Sequence, residues 1–204
     1  MSDMTGAPSE DQEYNLIREY AEALGLLVIY WASLENTLSF CLQKLASVDE
    51  WTSDCIATSI GKAEGRAGLI QRFALRPGHS PSDEWRDCVI GMCIQITNLS
   101  EKRNRLVHDD WFAQEDVITR QNNAIKIRKL GAGETKSILK SVPVPSHVGE
   151  IADLTQRTAL IMLHMPFLCT SYERWKHKGR PVTVPPQAIQ LSMGILPAST
   201  PLDD

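Results

Sequence analysis

The sequence predicts a mainly all-α fold: a bundle of four to five helices with a small β-hairpin inserted before the last long helix. Three stretches of the chain carry apolar residues three or four positions apart, the spacing that gives a helix one apolar face. Another stretch alternates loosely between polar and β-branched residues, which is typical of strands. These patterns indicate that helices packing on one another supply most of the core.

The first apolar stripe predicts one long helix over residues 13–46. Such a helix spans roughly 50 Å at 1.5 Å per residue, which suits a bundle or a dimer interface. The stripe advances by three or four positions at every step: Leu16, Tyr20, Leu24, Leu27, Trp31, Leu34, Leu38, Leu42 and Leu45.

The remaining patterns predict two more long helices and the hairpin. One helix starts after Ser82, where acidic residues suit the first turn, and runs to about Val107. The other covers roughly residues 147–176. Between them, β-branched residues alternate on either side of Asn122-Asn123, which predicts a β-hairpin over about residues 116–131.

The two ends of the chain lack these periods. Residues 1–12 are interpreted as a disordered N-terminus, and residues 13–178 as a single helical domain. Five prolines follow Gly179 without a sustained apolar pattern. Residues 179–204 are therefore predicted to be a Pro-rich flexible tail.

Composition limits the classes of protein and of site. The net charge of −4 and the pI of about 5.8 argue against a protein that coats nucleic acid as a histone does. The five cysteines contain no C-x-x-C pair, so we expect no metal and no cofactor. Since no apolar run approaches the roughly 20 residues of a membrane span, we expect a cytoplasmic protein with no membrane partner.

Residues 118–140 are locally basic. Six cations there are opposed by a single acid, Glu134, so the net charge of the segment is about +5 by this count. This asymmetry indicates an anionic partner, although basic surface strands also occur without one. The six cations are Arg120, Lys126, Arg128, Lys129, Lys136 and Lys140.

The candidate chemistry lies at the end of the helix that precedes this basic segment. Asn104 and His108 are four residues apart and share a face of the helix, whereas Arg103 is five before His108, about 140° around. Arg103 and His108 therefore converge only if the helix loosens at its end or if a second subunit brings its own pair opposite. An imidazole that transfers protons near pH 7 and a guanidinium that binds phosphate suit phosphodiester chemistry. The alternative is that both cations merely offset the helix dipole.

This element resembles the R-N-x-x-x-H signature of the HEPN superfamily. Arg103-Asn104-x-x-x-His108 stands near the end of a long helix and is followed by Trp111. The segment from Trp31 to Leu38 also resembles the first core helix in a branch of such proteins. The resemblance covers roughly residues 16–175, but only the Arg-Asn-His element is a specific motif.

The resemblance implies a homodimer in which two motifs face each other across a cleft. It implies a metal-independent endoribonuclease acting as a toxin, in antiviral defence or in RNA processing, with RNA as substrate and an antitoxin or regulatory protein as a further partner. His108 would be the acid/base group, Arg103 would hold the scissile phosphate, and Asn104 would orient the histidine or the ribose. Lys102 and Arg105 would be supporting cations.

Glu35 is a further candidate, because it lies close to the apolar stripe of the first helix. A carboxylate there needs a partner, and Arg103 or His108 would serve. The alternative is a rim position exposed to water.

The carboxylates beside the motif allow two opposite effects, because they could support the protonated form of the histidine or repel RNA. Asp109 and Asp110 follow the histidine directly and, together with Glu101, cancel the charge of the three nearby cations. The alternative function is a non-catalytic helical dimer of the same type, acting as a binding or regulatory module with Arg103 and His108 as polar interface residues.

Overall fold

The computed structural model describes residues 10–114, 117–121, 125–129, 135–139 and 143–197. The prediction of a mainly helical protein is confirmed, because six helices and five short strands make up the regular structure of these residues. In chain order they are α1 (Glu10–Ala46), α2 (Glu50–Ile60), α3 (Ala63–Leu75), α4 (Asp83–His108), β1 (Asp110–Gln114), β2 (Val117–Gln121), β3 (Ile125–Lys129), β4 (Thr135–Leu139), β5 (Val144–Pro145), α5 (Val148–Lys178) and α6 (Pro186–Ser192).

The chain divides into two compact units, each made of separate segments. The first unit comprises Met1–Leu27 with Lys102–Asp153, and the second comprises Val28–Glu101 with Leu154–Asp204. The long helices α1, α4 and α5 each contribute residues to both units. The single helical domain predicted for residues 13–178 is thus divided between two units.

The second unit consists of helices that bury their apolar faces. Burial recurs every three or four residues along α1, α4 and α5, as the stripes in the sequence predict. Polar links join the helices as well: the Trp85 indole donates to the carbonyl of Leu168 at 3.0 Å, and Arg66 donates to the carbonyl of Glu35 at 2.8 Å. Among the largest fully buried side chains are Leu34, Leu38, Ile70, Met92, Ile96, Leu154 and Ile161.

The first unit contains both sheets of the described chain. One is a three-stranded antiparallel sheet in the order β1-β2-β5, and the other is the pair β3-β4. In the first sheet Ala113 lies opposite Ile118 and Trp111 lies opposite Arg120. Ile118 is buried, so this face of the sheet supplies the core of the unit.

The predicted hairpin over residues 116–131 is wrong in its pairing. Strand β2 pairs with β1 and β5, whereas β3 pairs with β4. The physical reason is that β1 follows α4 after a single residue, which brings an apolar strand next to β2 and leaves β3 to find another partner. The turn expected at Asn122-Asn123 lies outside the described residues.

The predicted flexible tail is wrong for residues 186–192, which form α6. Two prolines start this helix, Pro185 as N-cap and Pro186 in the first turn, where a missing backbone N–H costs nothing. Ala188 and Leu191 are buried, and the carbonyl of Gly194 accepts from Arg157 at 2.7 Å. The predicted disordered N-terminus of residues 1–12 is wrong for residues 10–12, which belong to α1. The predicted disorder of residues 1–9 and 198–204 lies outside the described residues.

Helix α1 is long and apolar enough, from Tyr14 to Ala46, to cross a membrane by length and composition. The core helix of a soluble protein passes the same test. In α1 the residues Leu27, Leu34 and Leu38 are fully buried, and 28% of its apolar window is buried inside the protein. The cytoplasmic location and the absence of a membrane partner stay predictions.

We predict that Gly91→Ala destabilises the protein by about 1–3 kcal/mol, the usual cost of overpacking. A methyl group at Gly91 would lie 2.7 Å from the Ser192 carbonyl oxygen at the end of α6, so the segment after α6 must shift. Urea unfolding of both proteins measures the difference.

The matched control is Gly68→Ala, also within a helix. A methyl group there meets no atom within 4 Å, and alanine is favoured over glycine in a helix by about 0.5–1 kcal/mol. If Gly91→Ala were as stable as Gly68→Ala, α6 would not pack against α4.

We also predict that stability falls on acidification in part through His164. Burial lowers the pKa of this imidazole below its usual 6.5, so between the lowered pKa and 6.5 the unfolded chain binds more protons than the folded one. The free energy of unfolding therefore decreases as the pH falls through this window. Between about pH 7 and pH 5, the free energy of unfolding should decrease less in His164→Gln than in the wild type. Equal dependence of this free energy on pH in the two proteins would contradict the role given to His164.

Candidate functional site

The motif, from Arg103 to His108, spans the last six positions of α4 (Asp83–His108). The backbone N–H of Asp109 donates to the carbonyl of Arg105 at 2.9 Å, so the helical hydrogen-bond pattern continues to the end of the motif. Leu106, in the middle of this turn, is fully buried and anchors it to the core of the first unit. The helix does not loosen before His108.

This regular helix decides how the motif side chains are arranged. Asn104 and His108 stand one turn apart on the same face, and Arg103 projects about 140° away from His108. Of the two routes by which Arg103 and His108 could converge, loosening of the helix end does not occur. Convergence through a second subunit stays a prediction.

A hydrogen bond brings the guanidinium to the amide. Arg103 donates from Nη1 to Oδ1 of Asn104 at 3.2 Å, and both residues are half-buried whereas His108 is exposed. Asn104 therefore connects the guanidinium to the face that carries the imidazole. The supporting cations Lys102 and Arg105 are exposed on the same segment.

This arrangement can do two things chemically. The exposed imidazole can act as a proton donor or acceptor, and the guanidinium can bind a phosphate oxygen with a fixed fork of donors. Asp109 is half-buried and Asp110 exposed, so carboxylates stand close to these donors. The charge of the site is balanced rather than strongly positive.

An aromatic residue fastens the next strand to the end of α4. Trp111 in β1 donates from its indole to the Leu106 carbonyl at 2.9 Å. Tyr20 of α1 packs edge-on against the indole with 5.7 Å between the ring centroids. Its hydroxyl donates to the carbonyl of Ser146 at 2.5 Å, and burial raises the pKa of this phenol.

A groove of about 330 Å³ lies beside these aromatic residues in the first unit. It is mostly apolar, and exposed side chains such as Ile17 and Phe112 form part of its wall. In the sequence its one local signal is the aromatic pair Trp111-Phe112, which begins three residues after His108. The groove is lined by Ile17, Tyr20, Ala21, Leu24, Trp111, Phe112, Ala113 and Ile118.

Glu35 belongs to the second unit. It is half-buried, and its backbone carbonyl accepts from Arg66 at 2.8 Å and from Ser39 at 3.3 Å. Pairing of its carboxylate with Arg103 or His108 stays a prediction.

No group of three or more His, Cys, Asp or Glu side chains suited to hold a metal occurs among the described residues. The described thiols are free cysteines. Burial raises the pKa of Cys88 to about 11, so this thiol stays protonated at neutral pH.

Comparison of the chain with protein-family models, curated proteins and solved structures finds no match. The HEPN resemblance therefore depends on the motif and the helix pattern alone.

We predict that Trp111→Phe destabilises the protein by about 1 kcal/mol, the net value of one hydrogen bond. The indole donor to Leu106 is lost while most of the aromatic packing is kept. Amide hydrogen exchange should accelerate at Asp109, whose N–H belongs to the last turn of α4.

Trp51→Phe is the control, because the Trp51 side chain is 76% exposed and such substitutions change stability by about 0.5 kcal/mol or less. Unchanged exchange at Asp109 in Trp111→Phe would show that the indole does not hold the helix end.

Proposed function

We propose that the chain is a metal-independent endoribonuclease of the HEPN type, working as a homodimer. The fold proposed with it is a HEPN-like helical bundle, of which the described helices supply the main elements. The class is suggested by the Arg103-Asn104-x-x-x-His108 element at the end of a long helix. Roles in a toxin–antitoxin pair or in antiviral defence, in the cytoplasm, belong to the same proposal.

The single observation that carries the proposal is the geometry of the end of α4. The helix stays regular to His108, and Arg103 donates to Asn104, which stands one turn from His108. A phosphate-binding guanidinium, an amide and an exposed imidazole are thereby held on one rigid element. Rigid placement is what general acid/base catalysis requires.

The proposed reaction uses the ribose 2′-OH of the RNA as nucleophile. An imidazole accepts the proton of the 2′-OH as its oxygen attacks the adjacent phosphorus, and the bond from phosphorus to the 5′-oxygen of the next nucleotide breaks. The departing 5′-oxygen takes a proton from the second imidazole of the dimer, which leaves a 2′,3′-cyclic phosphate and a 5′-OH. Arg103 stabilises the extra negative charge on the phosphate oxygens in the transition state.

The homodimer follows from the helix geometry within this proposal. One regular helix presents Asn104 and His108 on one face and Arg103 toward another, and one imidazole cannot act as base and acid in the same step. A second α4 opposite the first would supply the second imidazole and the second guanidinium.

The basic segment supports an RNA substrate. Residues 118–140 belong to the first unit, as the motif does, and carry six cations against one acid. Phosphate contacts from lysine and arginine supply most of the affinity of proteins for nucleic acids regardless of sequence. An acidic protein can therefore bind RNA through one local surface.

A binding module without catalysis is the second candidate. Exposed apolar side chains favour it, because Leu26 and Ile29 on α1 are 53% and 62% exposed and such residues mark protein interaction surfaces when they cluster. This module would use a helix face for its partner, and Arg103 would have no catalytic part.

We predict that the purified chain cleaves mixed RNA in EDTA and leaves 2′,3′-cyclic phosphate ends. His108→Ala and Arg103→Ala should each lower the cleavage rate by at least about 100-fold, the usual contribution of an acid/base group or a transition-state donor. Gel analysis of the fragments and of their termini measures both effects.

The matched controls are His177→Ala and Arg174→Ala, which remove an exposed histidine and an exposed arginine near the end of α5 and should leave the rate unchanged. If the wild type, shown to be folded and dimeric, cleaves no RNA, the ribonuclease proposal is wrong and the binding module replaces it. Undiminished cleavage by preparations of His108→Ala and Arg103→Ala would point to a contaminating nuclease.

A further inference from the structure

The groove of the first unit adjoins the motif through the chain itself. Trp111 follows His108 by three residues, which span at most about 11 Å. The Trp111 indole donates a hydrogen bond to the carbonyl of Leu106, two positions before His108. The Cα atoms of Trp111, on the groove wall, and of His108 therefore lie within about 11 Å of each other.

The groove offers apolar and aromatic surface rather than hydrogen-bonding groups. The polar atoms of its two large aromatic side chains are already used, because the Trp111 indole donates to Leu106 and the Tyr20 hydroxyl donates to Ser146. A ligand would contact ring faces, ring edges and aliphatic carbons. Such a surface recognises a flat ring by stacking and does not discriminate among bases.

Cations beside the groove favour a ligand that carries phosphate. The Trp111 indole donates to the Leu106 carbonyl, and the exposed cations Lys102 and Arg105 lie within about one helical turn of Leu106 on α4. A cationic stretch beside an aromatic surface is the arrangement by which proteins bind single-stranded nucleic acid.

The volume of the groove limits the ligand to a small ring system. About 330 Å³ is at the lower end of the range for small-molecule sites, and an apolar helix would need a much longer surface. One planar base fits these limits, with its ribose and phosphate directed outward.

We propose that this groove binds an unpaired nucleobase of the RNA, in a nucleotide close to the bond that the motif cleaves. The inference rests on the proposed function and adds a subsite to it. Stacking makes the site select single-stranded over paired RNA, because a paired base is not free to enter. Phe112, 48% exposed on the groove wall, is the residue whose removal tests the subsite with least damage to the core.

The test uses the full chain and two forms of one short single-stranded oligouridine. The 2′-fluoro form lacks the attacking hydroxyl and therefore cannot be cleaved, so binding can be measured by fluorescence. It contains one 4-thiouridine, which reports contact with the protein by photo-crosslinking. The unmodified form reports cleavage in EDTA. Peptide mass spectrometry of the crosslinked protein locates the base.

We expect crosslinks on groove residues and binding by Phe112→Ala that is about tenfold weaker than by the wild type, the scale of one base stack. The control is Phe167→Ala on α5, a phenylalanine of similar exposure at 46%, which should bind within about twofold of the wild type because it lies outside the groove. A double-stranded oligonucleotide of the same length should not crosslink in the groove.

The two readouts separate the inference from the function on which it rests. If the wild type cleaves the RNA, but crosslinks lie elsewhere and Phe112→Ala binds normally, the subsite is wrong and the ribonuclease stands. Groove crosslinks without cleavage uphold the subsite and overturn the catalytic proposal. If the RNA neither binds nor is cleaved, both are overturned, and the groove takes an apolar partner instead.

Discussion

The carbonyl of Leu106, near the end of α4, accepts the indole N–H of Trp111 from the following strand. The last four carbonyls of any helix lack partners within it, and here the Trp111 side chain is the hydrogen-bond partner of one of these carbonyls. The chain passes from helix to sheet across a single residue. Tyr20 packs on the same indole and donates to Ser146, which ties α1 and the segment before α5 to the same point. The motif and the groove both depend on this junction, because one lies just before it and the other just after it.

The long helices could be predicted from the sequence, but the strand pairing and the last helix could not. An apolar stripe of many turns is a strong signal because its period repeats, and α1 begins within three residues of the predicted start. The five residues of β1 hold too few alternations to distinguish a strand from the continuation of a helix. At the C-terminal end, Pro185 and Pro186 suggested disorder because prolines interrupt helices, yet the same residues can start one.

The candidate site was predictable in its residues and not in its geometry. The spacing of Arg103, Asn104 and His108 follows from the sequence alone, whereas the hydrogen bond from the Trp111 indole to the last turn of α4 is formed by a residue beyond the motif. The groove depends on Tyr20, which the sequence places only in a core stripe. Its contact with Trp111 joins positions far apart in the chain, and no local pattern encodes such a pair.

The same helical regularity decides what one subunit can and cannot do in the proposed reaction. A frayed end would let Arg103 swing toward His108 and form a complete pair in each chain. A regular end keeps them about 140° apart, and Asn104, which accepts from Arg103, stands on the face of the imidazole. One chain therefore cannot bring Arg103 and His108 together by itself. Its side chains are ordered before a substrate binds, because the entropy cost of ordering them is met during folding rather than binding. In the proposed dimer, a phosphate that approaches one α4 would meet half of a site, and the same half of a second copy would complete it.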